Sequence, residues 1–250
     1  MTDWSRLATE QRNRASEHID ELSTIEMLRV INLEDAVVVE AVRAELEEIS
    51  KAAEATTAAL RRGDRLFYIG AGTSGRLGIL DATECPPTFG TDPGMVQGLI
   101  AGGREAVFRS VEGAEDDVTG ALTALREHDL SKGDVVVGIA ASGVTPFVIG
   151  GLEFARDTGC FTILISSSQT AASRVQADAK IVPDVGPEVI TGSTRMKAGT
   201  ATKLVLNMLS TASMVGLGKT FGNLMVDLQP RNAKLRDRCV RILCQLADLE

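Results

Sequence analysis

The chain has little of what catalytic and stabilising shortcuts require. One Trp, one Tyr and seven Phe make an aromatic share of only 4%, so Val, Ile, Leu and Ala must fill any core. The two histidines, His18 and His128, both lie in charged surroundings, which leaves a Ser-His-Asp engine little to work with. The four cysteines (Cys85, Cys160, Cys239, Cys244) form no C-x-x-C pair, which argues against zinc and against a disulfide framework. No apolar run approaches the roughly 18 to 20 residues of a membrane span. Met1–Asp20 is polar and charged, unlike a signal peptide, so a soluble cytoplasmic protein with no membrane partner is expected. A formal charge of −8 opposes nucleic acid or an anionic membrane surface as a partner. An anionic ligand would have to be captured locally, by loops and helix ends.

What is present suits helices packed on a buried parallel sheet: 44% hydrophobic residues in a chain of 250. After a polar N-terminal segment to about Leu22, Ser23 and Glu26 read as a capping box opening a helix toward Asn32. A longer helix is predicted through Val37, Val42, Leu46, Ile49, Ala53 and Leu60, closed by Arg61, Arg62 and Gly63. Strand candidates then alternate with helix candidates. The strands are Leu66–Gly70, Met95–Ala101, Asp134–Ala140, Phe161–Ser166 and Lys180–Pro183. The helices are Leu77–Thr83, Glu105–Arg109, Asp116–Glu127 and Pro146–Thr158. That alternation predicts an α/β fold, a parallel sheet with helices on both faces. A long apolar helix follows from Thr194 to about Leu217, and an amphipathic segment, Asn232–Leu249, closes the chain. The domain reading is a helical segment over 1–55, a core domain over 56–220 and a C-terminal helical segment over 221–250.

The most informative stretch is Leu66–Gly90. A strand ends in Gly70-Ala71-Gly72-Thr73-Ser74-Gly75, a helix follows, and Glu84 stands before a Pro86-Pro87 stop. G-x-G-x-x-G between strand and helix suggests a dinucleotide. The ribose acid expected about 20 residues on is missing, where the chain reads Leu99-Ile100-Ala101-Gly102-Gly103-Arg104. A second strand ends in Ser142-Gly143-Val144-Thr145, with Pro146 at the first position of the next helix. Two hydroxyl-and-glycine loops at strand ends suit a sugar phosphate better than a nucleotide, since each helix start offers free N–H groups to an anion. Ser166-Ser167-Ser168 adds hydroxyls after a further strand.

Carboxylates are the second theme. Glu84 sits among apolar residues and prolines, and burial would raise its pKa and hold it protonated, as a general acid needs. Val111–Asp117 carries four acids. Asp116 and Asp117 read equally well as a solvated helix start, and composition does not choose between Glu112 and Glu115. Third, Arg195 and Lys197 oppose the dipole at the start of the long helix, beside Ser193 and Thr194, which suggests a bound anion or an acidic neighbour.

Together these segments resemble the N-acetylmuramic acid 6-phosphate etherases of the sugar isomerase (SIS) superfamily. The matching strings are STIEMLRVIN, YIGAGTSGRLGILDATECPPTFG, GLIAGG, VEGAED, DVVVGIAASG, VITGSTRMKAGTATKLVLNMLST and FGNLMVDL, in order from Ser23 to Leu228. The resemblance implies a three-layer sandwich around a parallel sheet of about five strands, with helices added at both ends, and a homodimer. It also implies a carbon–oxygen lyase of amino-sugar catabolism and peptidoglycan recycling. N-acetylmuramic acid 6-phosphate and water would give N-acetylglucosamine 6-phosphate and D-lactate, by elimination and then water addition, with no metal or redox cofactor. Motif by motif, it implies Glu84 as proton donor to the departing lactate and Glu115 as base at sugar carbon 2. It places phosphate on Ser74, Ser142, Gly143 and Thr145. Gly72 and Thr73 in the first loop, and Ser193 and Lys197 in the third motif, complete the expected substrate contacts. A non-catalytic sugar-phosphate sensor and an aldose–ketose isomerase are the alternatives on the same fold. Departures from the family pattern are Val144 for Arg, Phe147 for Tyr and Ser167-Ser168-Gln169 for Cys-Asn-Pro. Family members also extend through a further helical region beyond the position of Glu250.

Overall fold

A computed structural model describes residues 8–228 and 233–247. Three single 3-10 turns (Ala8–Glu10, Arg14–Ser16, Ile19–Glu21) lead into α1 (Thr24–Asp35). The capping box is present: the Glu26 carboxylate accepts from the Ser23 backbone N–H at 3.0 Å. The single long helix expected next is two, α2 (Val37–Arg43) and α3 (Leu46–Arg62). The break falls at Glu45, whose carboxylate leaves the helix surface to accept the Val182 N–H at 2.8 Å. Gly63 ends α3 with φ at 91°, the left-handed cap the sequence pointed to.

From there strands and helices alternate: β1 (Leu66–Gly70), α4 (Gly72–Phe89), β2 (Val96–Ile100), α5 (Glu105–Phe108), α6 (Gly120–Glu127), β3 (Val135–Ile139), α7 (Pro146–Thr158), β4 (Phe161–Ile165), α8 (Gln169–Ala172) and β5 (Ala179–Ile181). All five strands run parallel in the order β2-β1-β3-β4-β5. α9 (Lys197–Gly216) follows, then a two-residue-per-strand hairpin of β6 (Thr220–Phe221) and β7 (Leu224–Met225), and α10 (Ala233–Leu246). Asn232 and Leu249, expected as the bounds of that last helix, lie outside the described residues.

The central strands are apolar on both faces because helices cover both. Leu66, Tyr68, Val135 and Val137 pack with α3, α4 and α9, while Phe67, Ile69 and Val136 pack with α6 and α7. β1 therefore sends its helix to one face and β3 to the other. Their carboxyl ends flank the point where the winding reverses, the usual place for a ligand crevice in such sheets.

Two expectations need correction. Pro86-Pro87 does not stop α4, which runs through them to Phe89. Both prolines sit in the last turn, Phe89 is buried beneath it, and the Gly90 N–H closes on Pro86 O at 2.9 Å. The helix expected from Asp116 starts at Gly120, because the Asp117 carboxylate accepts the N–H groups of Thr119 at 2.9 Å and Gly120 at 3.0 Å. Asp117 is thus a turn-forming acid at a helix start. Among the described residues no helix is long and apolar enough to cross a membrane.

The lower edge of the sheet is tied by buried Asp134. Its carboxylate accepts from the Arg65 N–H at 2.8 Å, the Arg65 guanidinium at 2.8 Å and the Ser131 N–H at 2.9 Å. Burial pushes this carboxyl up, but the hydrogen bonds from Arg65 and Ser131 and the Arg65 charge outweigh it and hold it below the ordinary carboxylate range. A carboxyl held low in the folded state stabilises fully above its unfolded value of about 4, and that contribution disappears as pH falls through the folded value. Urea unfolding should therefore show Asp134→Asn destabilised by about 3 kcal/mol at pH 7 and less sensitive than wild type to acidification below pH ~4. Parallel pH profiles for the two proteins would contradict this role.

Candidate active site

The β1 loop is built on close approach. A Cβ on Gly70 would stand 2.8 Å from the Gly75 nitrogen, and one on Gly75 would stand 2.6 Å from Gly70 O. Only glycines let α4 begin this near the strand end. Gly72 turns the chain with φ at 53°, a conformation that suits glycine. No side chain caps α4, so the N–H groups of Gly72, Thr73 and Ser74 remain for a ligand at the positive end of the helix. Among the described residues, the Thr73 and Ser74 hydroxyls have no partner within the chain.

The β3 loop stands beside it, since Gly70 and Ile139 are register partners at the two strand ends. Gly143 has φ at 73°, and a Cβ there would lie 2.8 Å from both Ser166 Oγ and Ala171 Cβ. Thr145 occupies the N-cap of α7 with Pro146 at its first turn, but the Thr145 side chain makes no capping bond, so its hydroxyl stays available to a ligand. Half-buried Ser142 accepts the Val144 N–H at 3.5 Å and keeps its own proton to donate. The Ser166–Ser168 run is buried and structural instead. Ser166 Oγ donates to Ala141 O at 3.3 Å and accepts the Ser168 N–H at 3.2 Å, and Ser168 caps α8. Those hydroxyls hold the β3 loop from behind.

Glu115 joins the first loop. Gly72, Arg76, Arg109, Glu112 and Glu115 all line one cavity of about 180 Å³ at the ends of β1 and β2. Arg76 braces its wall by donating to Val107 O at 3.0 Å. Both acids left open by composition are therefore in place, beside the anion loop. The start of α9 also approaches: a Cβ on Gly199 would stand 3.6 Å from the Thr73 methyl and 3.5 Å from Thr194 O. Ser193, half-buried, lies just before it.

Lys197 is placed differently from the expected phosphate ligand. Its side chain is 2% exposed, and its ammonium meets Glu34 Oε2 at 2.6 Å. Glu188 caps α9 by accepting the N–H groups of Lys197 at 2.9 Å and Ala198 at 3.0 Å. Of the two reasons for a cation there, the structure supplies the acidic neighbour. Burial raises the Glu34 carboxyl, but hydrogen bonds from Lys197 and Asn13 with the Lys197 charge outweigh it and leave it low.

Glu84 is the larger surprise. It is exposed on α4, not buried. Its apolar sequence neighbours Ala82 and Cys85 are the buried ones, on the helix face turned to the sheet. Glu84 lies ten residues beyond Ser74, about 15 Å down the helix axis at 1.5 Å per residue. One chain thus brings Glu115 to the β1 loop and carries Glu84 away from it. Near Glu84 is a polar group the sequence reading missed. Buried Tyr68 donates to Asp81 Oδ2 at 2.9 Å, and Lys203 of α9 meets Asp81 Oδ1 at 3.2 Å. The available signal was Lys203 itself, which with Lys197 makes up all the charge in a helix without acids. Burial first, then the Asp81 charge, push the adjacent Cys85 thiol up to about 12, so it stays protonated.

The sequence profile of the glucokinase regulatory protein N-terminal SIS domain matches residues 48–156. Among solved structures, the phosphoheptose isomerase GmhA from Neisseria gonorrhoeae superposes with a TM-score of 0.54 at 17% identity, covering 76% of this chain and 98% of that one. A phosphoheptose isomerase from Francisella tularensis gives 0.53 at 14%, covering 78% and 100%. At these identities the likeness is one of fold. Curated relatives are much nearer. N-acetylmuramic acid 6-phosphate etherase 2 of Vibrio parahaemolyticus is 59% identical over 97% of this chain and 81% of its own. The etherase of Geobacillus thermodenitrificans is 54% identical over 96% and 81%, and that of Salinibacter ruber 56% over 98% and 79%. At that identity over nearly its whole length, the chain belongs to the N-acetylmuramic acid 6-phosphate etherase family.

Proposed function

We propose that the protein cleaves the lactyl ether of N-acetylmuramic acid 6-phosphate, giving N-acetylglucosamine 6-phosphate and D-lactate. The observation that carries this is Glu115 in the cavity of the β1 anion loop, in a chain whose relatives are etherases. The phosphate is held by the N–H groups of Gly72, Thr73 and Ser74, with Ser74, Ser142, Gly143 and Thr145 around it and Ser193 at the rim. Lys197 serves that rim indirectly, by fixing the start of α9 against Glu34.

Glu115 takes the proton from carbon 2 of the open-chain sugar, which the aldehyde acidifies. The electron pair closes a carbon 2–carbon 3 double bond and the carbon 3–oxygen bond breaks, with Glu84 giving its proton to the departing lactate oxygen. Glu84, now ionised, takes a proton from water as the water oxygen adds at carbon 3, and carbon 2 is reprotonated from Glu115. Each acid–base role contributes about 10²- to 10⁴-fold. A cytoplasmic location suits a phosphorylated substrate, which does not cross membranes unaided.

The separation along α4 supports a homodimer as the working form, with Glu84 of one copy facing the loops of the other. Supporting this, α3 and α9 expose a groove of about 880 Å³, and Leu46, Leu80, Met208 and Val215 on α3, α4 and α9 are 37–50% exposed. Apolar surface of this kind is what an isologous contact buries. The match to a regulatory-protein profile favours, as a second reading, a sensor that binds the sugar phosphate without cleaving it.

The purified protein should release D-lactate from N-acetylmuramic acid 6-phosphate without added metal; tight binding with no lactate would favour the sensor. Glu84→Gln and Glu115→Gln should each lower kcat by about 10²-fold or more. Mixing the two inactive variants under subunit exchange should restore about a quarter of wild-type activity, because half the dimers are hybrids with one intact site. No recovery in demonstrated hybrids would place Glu84 and its substrate on the same chain.

A further inference from the structure

Where α4 crosses α9, a charged group is folded into a mainly apolar seam. Tyr68 holds Asp81, and Asp81 holds Lys203. Lys203 also donates to Asn207 Oδ1 at 2.6 Å. A buried carboxylate–ammonium pair stabilises a seam no better than well-packed apolar residues of similar volume. Its presence in the seam leaves the charge open to another use. An ammonium has three N–H donors. Two are taken by Asp81 and Asn207, and among the described residues the third has no partner. The Lys203 side chain is 31% exposed, so that donor can reach a ligand.

Glu84 stands three residues beyond Asp81, about one turn along α4, where the helix surface passes from buried to exposed. The Lys203 ammonium, bound to Asp81, is thus anchored to the stretch of α4 that carries Glu84 one turn on. Lactate carries its ether oxygen and its carboxylate on adjacent carbons. An acid that protonates that oxygen must stand a few ångströms from the carboxylate. Once it has given up its proton, Glu84 is an anion close to that carboxylate, and a cation there offsets the repulsion.

We propose that Lys203 binds the carboxylate of the departing lactyl group through its free N–H, making the site selective for acid-bearing ethers. Asp81, Asn207 and, behind them, Tyr68 hold the ammonium in position. The inference rests on Glu84 as the proton donor to that same leaving group.

The test compares two substrates, N-acetylmuramic acid 6-phosphate and the 3-O-ethyl ether of N-acetylglucosamine 6-phosphate, which lacks the carboxylate. Release of lactate or ethanol gives kcat/KM for each. Wild type should favour the lactyl ether by about 10- to 100-fold, the worth of a hydrogen bond to a charged group. Lys203→Met should bring that ratio close to one, and Lys203→Arg should keep part of it. Because Lys203→Met strands Asp81, the double variant Asp81→Asn/Lys203→Met is measured beside it, and should also lose the preference while unfolding near the wild-type temperature. A variant that slows both substrates by the same factor, leaving the ratio intact, overturns the proposal, since that is what mere support of α4 would do. A folded wild type that releases neither lactate nor ethanol overturns the etherase reading, and this inference with it.

Discussion

The rest of the site depends on how α4 is seated. Gly70 and Gly75 let its first turn touch the end of β1, which aims uncapped N–H groups into the crevice between β1 and β3. The same helix is a rod of eighteen residues, so whatever it carries further down is displaced by a fixed rise per residue. Uncapped N–H groups lie at one end and the Glu84 carboxylate is presented well along its length. Because a helix does not fold back on itself, the two ends of α4 serve different copies of the site in the proposed homodimer. The seam with α9 then matters twice, as the brace that sets the rotation of α4 and, in the proposal for Lys203, as the source of a cation for the departing group.

Electrostatics follow the same geometry. The protein is acidic as a whole, so in the proposed site attraction for a sugar phosphate comes from oriented backbone and from hydroxyls with protons left to donate. Lysines are used sparingly. Lys197 is buried on Glu34 to fix the start of α9, while Lys203 is paired yet open on one side. Two lysines six residues apart in one helix thus differ in role because one ammonium meets solvent and the other does not.

Much of the fold was legible in the sequence. β1 and α7 carry the bounds expected of them, since apolar runs mark buried strands and Pro146 and Gly159 punctuate that helix. Punctuation misled at Pro86-Pro87, where two lost backbone bonds in a last turn weigh less than burying Phe89. It also failed at Glu45, whose bond to Val182 is a long-range contact that no local pattern announces. For the site, residue type pointed to the two loops and the family motif to Glu115, which lines the β1-loop cavity together with Glu112. Glu84 was singled out for its apolar neighbours yet is exposed, because neighbours in sequence occupy different faces of a helix. Asp81 and Lys203 went unnoticed because the pairing of α4 with α9 spans more than a hundred residues.

The central claim is that carbon–oxygen cleavage proceeds by elimination from a carbanion at carbon 2, not by direct displacement of lactate. Turnover of N-acetylmuramic acid 6-phosphate in heavy water, with the N-acetylglucosamine 6-phosphate product examined by proton NMR, tests it most directly. Because Glu115 is exposed, the proton it takes exchanges with heavy water before one is returned, so elimination followed by water addition predicts deuterium at carbon 2 of the product. Full retention of the original proton there, with lactate released, would contradict it.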